Sequence, residues 1–228
     1  FDGTGEWLPL VVDGASAVPG LTLEEVLVYT RLAADKVGPT KMDRCEDVEP
    51  SLLTGKVYVA CTNNSDRGKV GKEGATEINP RNANRDGHIV DITEAPGQIG
   101  TAFTWNLLMV CGDPATGDVT YFSGFPVDKV SPISCPDNLA FDSVGNLWIS
   151  TDGAPAGIGK ADGLFKVTLQ GAEPGKVEQF LAVPTEAYTC GASVHHQTPM
   201  GHVPVHDPAP DGAHPPPRTS SPPTSAGT

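Results

Sequence analysis

Apolar positions along most of this chain fall in short runs rich in β-branched and aromatic residues, each bounded by Gly, Asp, Asn or Pro. That is the pattern of strands joined by turns. It predicts strands over residues 56–61, 88–92, 105–110, 119–122, 138–141, 146–151 and 163–167. One segment departs from it. Leu-Glu-Glu-Val-Leu-Val-Tyr-Thr-Arg from Leu23 to Arg31, continued by Leu32, Ala33 and Ala34, predicts a short helix, with Thr22 as its cap and Glu24 and Glu25 in its first turn.

Two of the strand runs share a grammar. Asn138-Leu139-Ala140-Phe141 and Asn146-Leu147-Trp148-Ile149 flank a turn carried by Asp142 and Gly145-Asn146, and Asp162-Gly163 marks the turn into Leu164-Phe165-Lys166-Val167. Gly and Asn accept the positive φ that tight hairpin turns require. Short strands at this spacing predict an all-β chain made of four-stranded β-propeller blades, with a β-sandwich sharing most of the same features. After Cys190 the character changes. Residues 191–228 hold no aromatics, nine of the 22 prolines and five of the six histidines, namely His195, His196, His202, His206 and His214. Pro-rich surroundings of this kind cannot bury a core, so residues 1–190 are expected to form the folded domain and residues 191–228 a disordered tail.

A formal net charge of −13 over 228 residues excludes the basic face that nucleic acid requires and suits a soluble acidic protein that binds cations. No apolar run approaches the roughly 20 residues of a membrane helix. The chain opens at Phe1 and has no export signal at its start, as expected of a piece cut from something longer, with any signal lying upstream. Cys45, Cys61, Cys111, Cys135 and Cys190 are odd in number and form no Cys-x-x-Cys pair, so buried free thiols are expected rather than a zinc site or a disulfide framework.

Candidate chemistry concentrates in two places. Met42-Asp43-Arg44-Cys45-Glu46-Asp47-Val48-Glu49 packs one guanidinium among several carboxylates, either as a solvated acidic turn or as a place where a hard cation and an anion meet. Ser134-Cys135-Pro136-Asp137-Asn138 sets a carboxylate and an amide at a strand start. Glu46 and Asp137, from distant parts of the chain, can converge on one axial site, and their oxygens suit calcium better than zinc. Asn63-Asn64, Asn79-Pro80-Arg81-Asn82 and Asp152-Gly153 read first as turns, with Arg81 a possible second anion contact and Asp152 a ligand or a turn former; His88 reads as structural. There is no Gly-x-Ser-x-Gly, phosphate loop or His-Glu-x-x-His, which leaves serine hydrolases, nucleotide binders and zincins without support.

Together with Thr54-Gly55-Lys56-Val57-Tyr58, Thr62-Asn63-Asn64, Asn79-Pro80-Arg81 and Gly87-His88-Ile89, these two segments resemble the PhoX-type bacterial alkaline phosphatases in order and spacing. Gly145-Asn146-Leu147-Trp148-Ile149 and Thr151-Asp152-Gly153 continue the likeness, which covers most of residues 1 to about 190. The resemblance implies a propeller-like fold, calcium and iron at its axis, and hydrolysis of phosphate monoesters in the periplasm or outside the cell; a monomer is expected. It implies Arg44 as the phosphate contact and Glu46 and Asp137 as metal ligands. The alternatives from other classes are a calcium-dependent propeller lactonase and a non-catalytic propeller binding module.

Three departures from the family stand out. Cys45 replaces the proline usual between the arginine and the glutamate. A long N-terminal part that supplies further ligands is expected upstream. The tail is expected to be out of frame after about Gly191, because codons for Ser193-Val194-His195 read one base later can encode the Ala-Phe-Thr that family members carry.

Overall fold

The computed structural model describes residues 2–184, 186–194 and 201–206. The chain opens with β1 (Asp2–Glu6), a small hairpin of β2 (Val11–Val12) and β3 (Ala15–Ser16), and two helices, α1 (Leu23–Val28) and α2 (Thr30–Val37). There follow β4 (Cys45–Pro50), β5 (Val57–Cys61), β6 (His88–Glu94), β7 (Ala102–Val110) and β8 (Tyr121–Phe122). A second series holds β9 (Pro136–Phe141), β10 (Leu147–Thr151), the short helix α3 (Ala154–Ile158), β11 (Gly163–Val167) and β12 (Val177–Ala182). Two-residue strands β13 (Tyr188–Thr189), β14 (Ser193–Val194), β15 (Gly201–His202) and β16 (Val205–His206) complete the described chain.

Two antiparallel sheets carry the fold. In the first, β4 to β7 pair in chain order, β1 adds to the outside of β7, and β8 also pairs with β7. In the second, β9 to β12 pair in chain order. Alternation decides which side chains meet. Along β5, Tyr58 and Ala60 enter the core between the sheets, where Ile89, Met109 and Phe122 meet Leu139, Ile149 and Phe165. Val59 and Cys61 point the other way, into a second core with Val90, Ile92 and Trp105. The first sheet is therefore buried on both faces at its middle, which is why β5 reads as an unbroken apolar run, and each large side chain so buried contributes about 1.5–3 kcal/mol.

The start of each series lies against the other. Strand β4 packs beside β9, and the Leu139 N–H donates to Asp47 Oδ2 at 2.8 Å across the gap between the sheets. The turn predicted between β9 and β10 forms as expected. Asp142 Oδ1 accepts the Asn146 N–H at 2.9 Å, Gly145 takes φ 86°, and the Trp148 indole donates to Asp142 Oδ2 at 3.0 Å.

Several expectations need correction. The chain is mostly β, in antiparallel sheets with little helix, and neither sheet closes on itself among the described residues. The single helix expected from Leu23 is two, broken at Tyr29, although Thr22 and Glu25 form the reciprocal capping box at its start. The acidic stretch from Cys45 is a strand rather than a turn, and β1 and β12 carried no recognised signal. In the described part of residues 191–228, β14 pairs with β15 and β16 with the preceding β13; His195, His196 and His214 lie outside the described residues. Cys45 is exposed, whereas Cys61, Cys111 and Cys135 are buried free thiols as expected. Among the described residues no helix is long and apolar enough to cross a membrane.

Candidate functional site

Arg44 stands immediately before β4 with φ 47°, a left-handed backbone that residues with a Cβ rarely adopt. The main chain holds it there, because its carbonyl accepts the Thr62 N–H at 3.0 Å and its own N–H donates to the Met42 carbonyl at 3.1 Å. The side chain is 61% exposed yet oriented. Nη1 donates to Asn63 Oδ1 at 3.1 Å and Nη2 donates to Glu46 Oε1 at 2.7 Å. Those two bonds leave other N–H groups of the fork unused, as recognition of an anion requires.

Cys135 repeats the device before β9, with φ 53°. Its N–H donates to the Asp86 carbonyl at 2.8 Å and its carbonyl accepts the Asp152 N–H at 3.1 Å. Asn63 joins the two halves, since its Nδ2 lies 3.7 Å from the Cys135 sulfur while its Oδ1 serves Arg44. Beyond Cys135, the Asp137 carboxyl is pushed up to about 6 by burial, then by the negative charges of Asp152, Glu46 and Asp47, with Arg44 acting in the opposite sense. Asp152 is raised by burial and by Asp162 and Glu46, again against Arg44. The structure thus brings Arg44, Glu46 and Asp137 into one electrostatic neighbourhood and adds Asp47, Asp152 and Asn63 to it.

A polar network behind Arg44 fixes the loop that carries it. Asp43 is fully buried and accepts from Arg67 Nε at 2.5 Å, Asn64 Nδ2 at 2.9 Å and Asn84 Nδ2 at 2.9 Å, and its N–H donates to Asn79 Oδ1 at 3.1 Å. Asn84 Nδ2 also lies 3.0 Å from His88 Nδ1. That contact makes Nδ1 the acceptor and puts the ring proton on Nε2, which lies beside the Ile78 main chain without a hydrogen bond of good geometry. Burial pulls His88 down to about 4, so the ring is neutral and structural. Arg81 is not a second anion contact: its fork serves Asn84 Oδ1 and the carbonyls of Val119, Cys111 and Gly87.

The donor set at the site is carboxylate oxygen, and a carboxylate raised by burial and by neighbouring negative charge, as Asp137 is beside Asp152 and Glu46, is relieved by a bound hard cation. Glu46 and Asp137 fit such an ion on that ground. They fit it as part of a larger set, because among the described residues no group of three or more His, Cys, Asp or Glu side chains converges on a common metal position.

The model of the family described as alkaline phosphatase PhoX matches residues 1–208. The chain belongs to the PhoX alkaline phosphatase family. Among solved structures, Pseudomonas fluorescens PhoX in complex with vanadate, a transition state analogue, is similar at 30% identity with a TM-score of 0.66. The similarity covers 84% of this chain and 34% of that one, so the chain spans about a third of the length of that PhoX. No curated protein matches. The PhoX match also runs past Gly191, into the stretch read above as out of frame.

Within this PhoX-family site, sequence reasoning missed the bridging part of Asn63 and left Asp152 between ligand and turn. The signal for Asn63 was present, as an amide directly after an apolar strand, but the same position suits a turn former equally well. Asp47 sat in plain view, and its bond to the second sheet depends on a residue 92 positions away.

Proposed function

We propose that this chain carries the phosphate-binding part of a metal-dependent phosphomonoesterase site, in which Arg44 contacts the phosphoryl group and Glu46 and Asp137 hold calcium or iron. One observation carries the reading: the exposed Arg44 guanidinium is oriented by Asn63 and Glu46 beside the half-buried, charge-stressed Asp137. Membership of the PhoX family and the vanadate bound by the similar Pseudomonas fluorescens protein support it. The two series of consecutive antiparallel strands, with β4 beside β9, support a further reading as blades of a propeller.

A phosphate monoester dianion rewards a planar fork of donors, and Arg44 adds positive charge where it builds on the equatorial oxygens. Asn63 and Glu46 hold that fork in place before substrate arrives, so little reorganisation is needed at the moment of reaction. Glu46 and Asp137 would hold calcium or iron, which would supply Lewis-acid stabilisation of the phosphoryl oxygens. A calcium-dependent lactonase would use similar carboxylates, but a neutral lactone gives the oriented guanidinium nothing to neutralise.

Hydrolysis of an aryl phosphate monoester with calcium and iron supplied, together with vanadate binding, tests the proposal. Glu46→Ala is expected to abolish metal-dependent turnover. Arg44→Ala is expected to weaken vanadate binding and lower kcat/KM about 10²–10³-fold. Undiminished turnover and vanadate binding in both variants would remove these residues from the mechanism.

A further inference from the structure

Cys45 and Cys61 stand opposite each other where β4 pairs with β5. The Thr62 N–H donates to the Arg44 carbonyl at 3.0 Å, so the ladder bond flanks this pair rather than joining it. Flanked pairs of this kind have Cα atoms about 4.5 Å apart, inside the span that a disulfide bridges. The two sulfurs already approach to 3.9 Å. Side-chain rotation can bring them to the S–S bond length of about 2.05 Å with little movement of the strands. Strand β4 ends its sheet and Cys45 is exposed, while Cys61 is fully buried behind it, so an incoming oxidant meets Cys45 first.

We propose that Cys45 and Cys61 form a disulfide that locks the start of β4 to β5, a modification site independent of the phosphatase reading. The oxidant is a small-molecule disulfide such as oxidised glutathione, acting by exchange. Exposed Cys45 gives its proton to solvent, its thiolate attacks one sulfur of that molecule and expels the other as a thiolate that takes up a proton, and a mixed disulfide is left on Cys45. The Cys61 thiol then attacks the Cys45 sulfur, and its proton passes to the departing thiolate, which leaves as the second thiol. Two protein thiols lose two electrons in total, and the small disulfide is reduced to two thiols. The bond closes a loop over residues 46–60, which holds Glu46 and Asp47, and it anchors the residue that follows Arg44.

Incubating the reduced full chain with oxidised glutathione, then alkylating and digesting it without reductant, tests the proposal. The expected result is a crosslinked peptide joining Cys45 to Cys61, loss of both alkylatable thiols, and a rise in melting temperature of about 5–10 °C that dithiothreitol reverses. Cys45→Ser is expected to lose the crosslink and the response to reductant, while Cys190→Ser keeps both. The proposal is overturned if both thiols stay alkylatable, if Cys45 stops at the mixed disulfide, if the crosslink joins Cys45 to another cysteine, or if the crosslink leaves the melting temperature unchanged.

Discussion

At the scale of single residues, backbone strain marks the candidate site. Arg44 and Cys135 hold left-handed conformations at a cost of about 1–2 kcal/mol each, and each precedes a carboxylate of interest by two positions. Arg44→Gly removes the strain together with the guanidinium. Its stability in urea is expected to match or exceed that of the parent while vanadate binding is lost, so a clear drop in stability would show that the exposed Arg44 bonds matter more than the strain. Asp43 behaves oppositely. Asp43→Ala strands a buried Arg67 and is expected to cost about 3–5 kcal/mol in a denaturant titration, against the roughly 5–15 kcal/mol that holds a typical domain together. His88 sets an acid limit. It is protonated near 6.5 unfolded but only near 4 folded, so the unfolded chain takes up the proton first and stability falls as pH drops from 6.5 toward 4. Between pH 7 and pH 5 the wild type is expected to lose about 2 kcal/mol through this residue. Urea titrations at both pH values should show His88→Gln losing correspondingly less, and equal losses would exonerate the histidine. Sequence singled out Arg44 and Glu46 because a guanidinium packed among carboxylates stands out in a polar run, and the structure sets both in one electrostatic neighbourhood with Asp137. It hid the Asp43–Arg67 pair, because a contact between two loop residues 24 positions apart leaves no periodic trace.

At the scale of elements, legibility followed burial. Strands β5, β6, β7 and β11 face cores and announced themselves through β-branched and aromatic residues. Strand β4, Cys-Glu-Asp-Val-Glu-Pro, has no buried residue and so reads as a loop, and β12 exposes Phe180 while burying only Val177. Joints between elements are less forgiving than the elements themselves. Gly87 has φ 80°, and a Cβ there would lie 2.2 Å from the Thr62 carbonyl oxygen and 2.4 Å from that of Cys61. Gly87→Ala must therefore push β6 away from the end of β5, beside Asn63. Loss of more than about 3 kcal/mol is expected, read by thermal melting, and a near-neutral effect would mean that the joint is looser than its contacts imply.

At the scale of the whole molecule, the two sheets meet through a packed core and through polar ties, one of them between β4 and β9 themselves. Removing the Asp47 carboxylate leaves the Leu139 N–H without its acceptor, so Asp47→Ala is expected to cost about 1–2 kcal/mol. It should also speed hydrogen exchange at the Leu139 amide more than at β10, and uniform acceleration would instead indicate general loosening. The strand spacing pointed correctly to antiparallel hairpins, but not to the partner of β1, which lies far along the chain. That distance governs the order in which the molecule assembles. Strands β5 to β8 each meet the strand before them in sequence, whereas β1 pairs Asp2 with Asn106 and Glu6 with Ala102. Closing a loop of roughly a hundred residues takes more entropy than closing a hairpin, so β1 waits for β7 to be built and docks last. The Trp105 ring fills the space that Gly3 leaves free, so full burial of that indole is expected to accompany the docking of β1.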